Sequence, residues 1–226
     1  MKRIAFISTG GTIAMEVNEE GFANPSIGAK GLLSSLEELK KEIIIEEIDF
    51  KNIPSAHMTF TDLMLLRKTI LDVIKEGFDG VVITHGTDTM EETAYFLDLT
   101  VNNNIPIILT GSQRNFSDVS SDAVRNIIDA IRVAADDKAG EMGVLIVFSS
   151  EIVTAREAIK THRARLDTFK SFEFGPIGTV DNKRVNWVKK PLILEQYGVG
   201  DIENIKVDII PCSLGTDSRT IRNSIN

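Results

Sequence analysis

Residues 81–96 read V-V-I-T-H-G-T-D-T-M-E-E-T-A-Y-F. An apolar run stops at a cluster of small polar groups, and a helical pattern follows. This is strand, turn, helix, with Thr87, Asp88 and Thr89 presented where the strand ends. Open α/β sheets hold their ligands at such carboxyl ends. One carboxylate between two hydroxyls, beside the backbone N–H groups of a helix start, suits a polar zwitterion better than a nucleotide. The plain alternative is structural, since Asp88 followed by Glu91 also reads as a helix N-terminal cap. On this segment alone the cap is the better reading, because caps are common and sites are rare.

A second segment changes that balance. The chain opens K-R-I-A-F-I-S-T-G-G-T-I-A over residues 2–14, again a short apolar strand running into a tight turn. Gly10 and Gly11 permit a sharp turn and the close approach of a ligand. Thr12 follows with a free hydroxyl. An ordinary glycine turn would look the same, but a nucleotide loop would not: neither G-x-G-x-x-G nor G-K-[ST] is present.

Together, T-G-G-T-I-A at Thr9–Ala14 and H-G-T-D-T-M at His85–Met90 resemble the two signature motifs of the bacterial-type L-asparaginase family, in the family's order and approximate spacing. The resemblance continues through Thr168-Phe169-Lys170-Ser171 and covers most of the chain. It implies hydrolysis of a side-chain amide, which needs a nucleophile, a proton acceptor and stabilisation of an oxyanion. Thr12 matches the position usually taken as the nucleophile that forms an acyl-enzyme. Thr87, Asp88 and Lys160 match the second catalytic group. Both groups are assigned jointly, without deciding which threonine acts first. On residue type alone, Lys160 in R-E-A-I-K-T reads as part of an exposed basic helix face; the resemblance reverses that preference. It further implies that Asp88 holds the substrate α-ammonium and that Ser55, in P-S-A-H-M, binds the α-carboxylate. The expected substrate-contacting set is Gly11, Ser55, Ala56, Thr87 and Asp88. No metal or organic cofactor is implied. His57, His85 and His162 are scattered, without metal-ligand spacing, and His85 is expected to pack or hydrogen-bond near its turn.

Three departures from the family pattern stand out. Many members place a tyrosine hydroxyl from a mobile loop on the nucleophilic threonine, and the counterpart here is Phe22, without a hydroxyl. Ala56 stands where several members carry a glutamine. Family sites are also completed by an acidic residue from the second domain of a neighbouring subunit. Members usually continue for about a hundred further residues, so the chain is expected to be an N-terminal domain with most of the second domain missing.

The elements that must position these residues alternate. Strands are expected at Ile4–Ser8, 43–50, Gly80–Thr84, 106–110 and 143–148. Helices are expected at 31–42 (Leu32, Leu36 and Leu39 on one face), from Thr59 or Thr61 to Glu76 (Leu63, Leu66, Ile70 and Val73), from the second motif to about Val101, and at 122–135 (Val124, Ile127, Ile128 and Ile131). Residues 15–30 form a long polar connection, 52–58 a loop and 111–121 a polar loop. After Phe148 a shorter strand pair is expected near 177–188, then a further strand at 206–210 with little helix beyond it. The fold class is α/β, an open and mainly parallel sheet flanked by helices. Residues 1–188 form the asparaginase-like catalytic domain, 189–204 a polar, mobile linker and 205–226 the start of the second domain.

Composition sets outer bounds. At 226 residues and 42% hydrophobic, the chain can bury a substantial core. Its net charge of −8 is interspersed, with no basic stripe to follow a phosphate backbone, so nucleic acid is not an expected partner. The single cysteine, Cys212, excludes an internal disulfide and is expected to be buried and inert. No stretch approaches a membrane span and the N-terminal apolar run is too short for a signal peptide, so a cytoplasmic protein is expected; the family resemblance implies a homo-oligomer, dimer or tetramer. The expected activity converts L-asparagine and water to L-aspartate and ammonia, with some glutaminase activity. The alternative is a folded domain that binds amino acid weakly without turnover. An amidase subunit acting on charged tRNA shares the signatures but calls for basic surface that this chain lacks.

Overall fold

A computed structural model describes residues 1–17, 23–25, 28–33, 36, 39–102, 104–181, 183–191, 195–200, 205 and 207–225. In chain order the strands are β1 (Lys2–Ser8), β2 (Met15–Val17), β3 (Ala23–Pro25), β4 (Ile43–Asp49), β5 (Gly80–Thr84), β6 (Ile107–Thr110), β7 (Val144–Phe148), β8 (Glu151–Thr154), β9 (Ile159–Lys160), β10 (Phe169–Lys170), β11 (Gly178–Asp181) and β12 (Arg184–Trp187). The α-helices are α1 (Ala29–Leu33), α2 (Phe60–Lys75), α3 (Met90–Thr100), α4 (Ala123–Ala135) and α5 (Arg219–Ile225).

Among the described residues, eight strands form one sheet in the order β12-β11-β8-β7-β6-β5-β1-β4. The pairs from β4 to β7 are parallel, and β8, β11 and β12 extend the sheet antiparallel. β5, β6 and β7 are buried at every residue, as strands covered on both faces must be. Alternate residues of β1, Ile4 and Phe6 against Ala5 and Ile7, face different cores. The first core takes α1 and α4 through Leu32, Leu33, Ile127 and Ile131. The second takes α2 and α3 through Leu66, Ile70, Met90, Ala94 and Leu97.

This topology dictates where a ligand can sit. The chain steps from β1 outward to β4, then returns to lay β5, β6 and β7 on the other side of β1. The helix after β1 and the helix after β5 therefore cover opposite faces. The loops leaving these two neighbouring strands diverge, opening a crevice at their carboxyl ends. Thr12 leaves β1 there, and Thr87 and Asp88 leave β5.

Several expectations need correction. The helix expected over 31–42 is a five-residue α1 followed by a 3₁₀ turn at Leu39–Lys41, with residues 34, 35, 37 and 38 outside the described set. Leu32, Leu36 and Leu39 are nonetheless all buried, so their apolar spacing reports burial rather than one continuous helix. Residues 205 and 207–210 form no strand, and Ile205, Val207 and Ile209 are exposed. Without a neighbouring strand to hydrogen-bond, their apolar character does not make them one. Lys206 lies outside the described residues, as do 192–194 and 201–204 of the expected linker. A helix, α5, does follow. Cys212 is exposed rather than buried, because the segment carrying it packs on neither core. Two ribbons not expected also form: β2 with β3 inside the long polar connection, and β9 with β10.

Candidate active site

The two motif turns touch backbone to backbone. Gly11 has φ +83°, and a Cβ there would lie 2.4 Å from both Cα and N of Gly86. The first turn is tied to the end of β5 by the Thr9 hydroxyl and the Thr9 N–H, both donating to the Thr84 carbonyl, at 2.9 and 3.1 Å. Thr12 opens a short 3₁₀ turn, Thr12–Ala14, and is half-buried. Its hydroxyl makes no hydrogen bond among the described residues.

A third loop, after β4, packs on the second turn. The Ile53 N–H donates to the Thr9 carbonyl at 3.1 Å. Asp62 forms a capping box with Thr59 at the start of α2 and also pairs with Lys51, so the loop is held at both ends. This delivers Ser55, which is buried. Its hydroxyl accepts the Asp88 N–H at 3.2 Å and the Thr89 N–H at 3.4 Å, while the Thr89 hydroxyl donates to the Ser55 carbonyl at 2.9 Å. The N-cap of α3 is Thr89, which makes no side-chain cap of its own. The helix start is thus capped from another loop, and the Asp88–Glu91 cap does not form. Ala56 follows Ser55 on the exposed side of the loop.

Lys160 arrives from a separate ribbon on the face of the sheet that carries α3. It sits on β9, a strand rather than a helix face, opposite Phe169 of β10. Phe169 is buried against Phe148 with ring centroids 5.1 Å apart, which fixes the ribbon on the second core. The Lys160 side chain is only 15% exposed, and its Nζ donates to Thr87 Oγ1 at 2.8 Å and to Asp88 Oδ1 at 2.7 Å. Thr87 is buried, whereas the Asp88 side chain is 68% exposed, leaving its second oxygen toward solvent. Lysine, hydroxyl and carboxylate are therefore one hydrogen-bonded group where β5 ends. The Lys160 backbone N–H donates to Glu91 of α3. Sequence reasoning missed this contact, because it read Glu91 only as a capping partner for Asp88.

His85 is fully buried. Its Nδ1 hydrogen-bonds the Gly86 carbonyl at 2.8 Å and its Nε2 the Thr93 hydroxyl at 3.1 Å. Burial lowers its pKa to about 4, so the ring is neutral, with Nδ1 donating and Nε2 accepting. It buttresses the turn, as expected. His162 accepts the Ala164 and Arg165 N–H groups within its own loop, and His57 is exposed at the end of the Ser55–His57 turn. Among the described residues no group of three or more His, Cys, Asp or Glu is placed to hold a metal ion, and no helix is long and apolar enough to cross a membrane. Phe22 lies outside the described residues.

A cavity of about 380 Å³ lies at the opposite end of the sheet, lined by Asp98, Met142, Thr154, Arg156, Phe174 and Ile177 among others. Its charges are already paired: Arg156 with Asp98 at 3.1 Å, Lys189 with the Phe174 carbonyl, Lys190 with Glu141. It is a packing cleft remote from the threonines.

The chain matches the family description "Asparaginase, N-terminal" over residues 3–193. It is 37% identical over 225 residues to an L-asparaginase of Bacillus licheniformis, covering 99% of this chain and 70% of that protein. It is 34% identical over 194 residues to L-asparaginase 2 of Escherichia coli (strain K12), covering 84% of this chain and 56% of that protein. The crystal structure of a probable cytoplasmic L-asparaginase from Campylobacter jejuni superposes with a TM-score of 0.91 at 31% identity, over all of this chain and 70% of that one. On sequence and fold together, the chain belongs to the asparaginase family and carries its N-terminal domain.

Proposed function

We propose that the crevice between β1 and β5 hydrolyses the side-chain amide of L-asparagine to L-aspartate and ammonia, with L-glutamine as a secondary substrate. The observation that carries this reading is the Lys160 Nζ, held at 2.8 Å from Thr87 Oγ1 and 2.7 Å from Asp88 Oδ1. An amine between a hydroxyl and a carboxylate can relay a proton, which a threonine needs because its hydroxyl is a weak nucleophile at neutral pH. In this reading Thr12 and Thr87 supply the two hydroxyls. One attacks the carboxamide carbon and forms an ester as the C–N bond breaks and ammonia leaves with the proton relayed to it. Water then attacks the ester, releases aspartate and returns the proton to the threonine. Ser55 binds the α-carboxylate, Asp88 the α-ammonium, and Gly11 contributes its backbone to the substrate-contacting set while its missing Cβ lets the two turns meet. Glutamine differs by one methylene, worth only about 1–3 kcal/mol of discrimination.

The domain reading belongs to the same proposal: residues 1–188 as the catalytic domain, 189–204 as a linker, and 205–226 as part of a second unit. So does assembly into a homo-oligomer in the cytoplasm, the compartment named for the Campylobacter jejuni relative. The test is ammonia release from L-asparagine and L-glutamine by the purified chain, its Thr12→Ala variant and its Thr87→Ala variant. Activity that is lost in each variant while circular dichroism is unchanged supports the mechanism. Near-full activity in Thr87→Ala refutes it. No release by a folded wild-type chain that still binds asparagine would favour the binding reading instead.

A further inference from the structure

We infer that Glu91 is the positioning residue for Lys160: its carboxylate holds the lysine's main chain so that the amine is aimed at Thr87 and Asp88. The inference rests on the amidohydrolase reading for its catalytic consequence, but the contact itself follows from strand geometry. β9 and β10 form an isolated two-stranded ribbon. The Thr161 N–H donates to the Thr168 carbonyl at 2.8 Å, so Thr161 and Thr168 are a hydrogen-bonded pair. In an antiparallel ribbon the next pair, Lys160 with Phe169, is then a non-hydrogen-bonded pair, whose N–H and C=O groups point away from the partner strand. The Lys160 N–H therefore has no acceptor within the ribbon. A half-buried N–H needs one, and Glu91 provides it.

Glu91 sits in the first turn of α3, three residues beyond Asp88. The helix start that carries the targets of the amine thus also carries the anchor of its backbone. Lys160 is held at both ends by one rigid element: by Glu91 at the main chain, and by Thr87 and Asp88 at Nζ. A lysine side chain has four rotatable bonds, so without the backbone anchor the position of its amine would follow every movement of the ribbon. The carboxylate at the helix N-terminus is also favourably placed with respect to the helix dipole, so the anchor does not strain α3.

The test compares Glu91→Ala with Glu91→Gln. Glutamine keeps an acceptor oxygen at the same reach and removes the charge. For Glu91→Ala we expect kcat to fall about 10- to 100-fold, KM for asparagine to stay within about threefold of wild type, and the pH profile of kcat to keep its midpoints. Glu91→Gln should restore kcat to within about threefold of wild type. In parallel, NMR-detected amide exchange at Lys160 should accelerate at least about tenfold in Glu91→Ala and stay near wild type in Glu91→Gln. Wild-type kcat and unchanged exchange in Glu91→Ala would overturn the inference. Loss of kcat in Glu91→Gln equal to that in alanine, or a shifted pH midpoint, would also overturn it, by showing that charge rather than position matters. If the wild-type chain releases no ammonia, the function proposed above fails on its own. The exchange measurement still decides the role of Glu91, and unchanged exchange in Glu91→Ala overturns it.

Discussion

Replacing Gly11 by alanine adds one methyl group where the two motif turns touch. The backbone there has φ +83°, and the added Cβ would lie 2.4 Å from Gly86 Cα and N and 3.1 Å from the His85 carbonyl carbon. The left-handed conformation alone costs an L-residue roughly 1–2 kcal/mol. The collision is a separate effect. Carbon contacts are comfortable near 3.5 Å, so the two backbones must part by about 1 Å. Neither yields easily: the first turn is bonded to Thr84, and a Cβ on the far side of Gly86 would itself meet Ser55 Oγ at 2.7 Å. Overpacking of this kind costs about 1–3 kcal/mol more, and a displacement of about 1 Å between Thr12 and the Thr87–Lys160 group lowers turnover on the order of 100-fold. Gly77→Ala supplies the control, because Gly77 has φ +78° and nothing within 4 Å of the added atom. That variant bears the backbone strain alone. Urea unfolding and ammonia release on both variants separate the two effects. Gly77→Ala should lose about 1–2 kcal/mol and keep wild-type turnover, whereas Gly11→Ala should lose more stability and most of its activity. Equal stability losses, or turnover in Gly11→Ala within threefold of Gly77→Ala, would refute the close-approach argument.

His85 makes stability fall in mild acid. Its folded pKa is about 4, lowered by burial, against about 6.5 in the unfolded chain. Between these values the unfolded chain binds a proton that the folded one refuses. The contribution is therefore full above pH 6.5 and is lost as pH falls toward 4, by about 3 kcal/mol in total. Burial raises the pKa of Asp98 and Asp129, which acts in the opposite sense, but these groups are common to wild type and His85→Gln. The difference between their urea midpoints from pH 7 to pH 4.5 isolates His85, and parallel pH dependences would refute its assignment as a buried neutral ring. Ser55→Ala removes the acceptor for the Asp88 and Thr89 N–H groups. It should cost about 1 kcal/mol of stability, as loss of a helix cap does, and raise KM for asparagine about tenfold with a smaller effect on kcat; an unchanged KM would remove Ser55 from the substrate site.

Four strands of the parallel half, β1, β5, β6 and β7, are legible because they are apolar runs ending in small polar clusters. What escaped were elements whose signals are not local. The turn from β7 to β8 is Ser149-Ser150, both with positive φ, at 51° and 63°. A two-residue hairpin of that shape is normally announced by Asn-Gly or Gly. Here it is supported from outside, by Asn126 accepting the Ser149 N–H at 3.0 Å and Asp129 accepting the Ser150 hydroxyl at 2.9 Å. The two-residue strands β9 and β10 are too short to show any period, so residue type alone puts Lys160 on a helix face and only the family resemblance assigns it to the site. Of the candidate residues that the motif match proposes, Thr12, Ser55, Thr87, Asp88 and Lys160, the fold brings the last four into hydrogen-bonded contact. The dependence of the α3 cap on Ser55, and of Lys160 on Glu91, joins residues 33 to 69 positions apart, a distance at which a sequence window carries no information.

For the zwitterionic substrate proposed above, the hydrogen bonds already made by Ser55 and Asp88 favour one orientation. A serine hydroxyl has two acceptor positions and one proton. Ser55 Oγ uses its acceptor capacity on the N–H groups of Asp88 and Thr89, so what remains is a donor, which suits a carboxylate and repels an ammonium. Asp88 is the reverse. Its carboxylate can only accept, one oxygen is taken by Lys160, and the other faces solvent. An ammonium can bind there and a carboxylate cannot. These two ends are held together by the same backbone, since the N–H of Asp88 is one of the groups that commits the serine. In the proposed reading, capping α3 from the Ser55 loop therefore does more than steady a helix: it sets the polarity of the proposed α-group subsite.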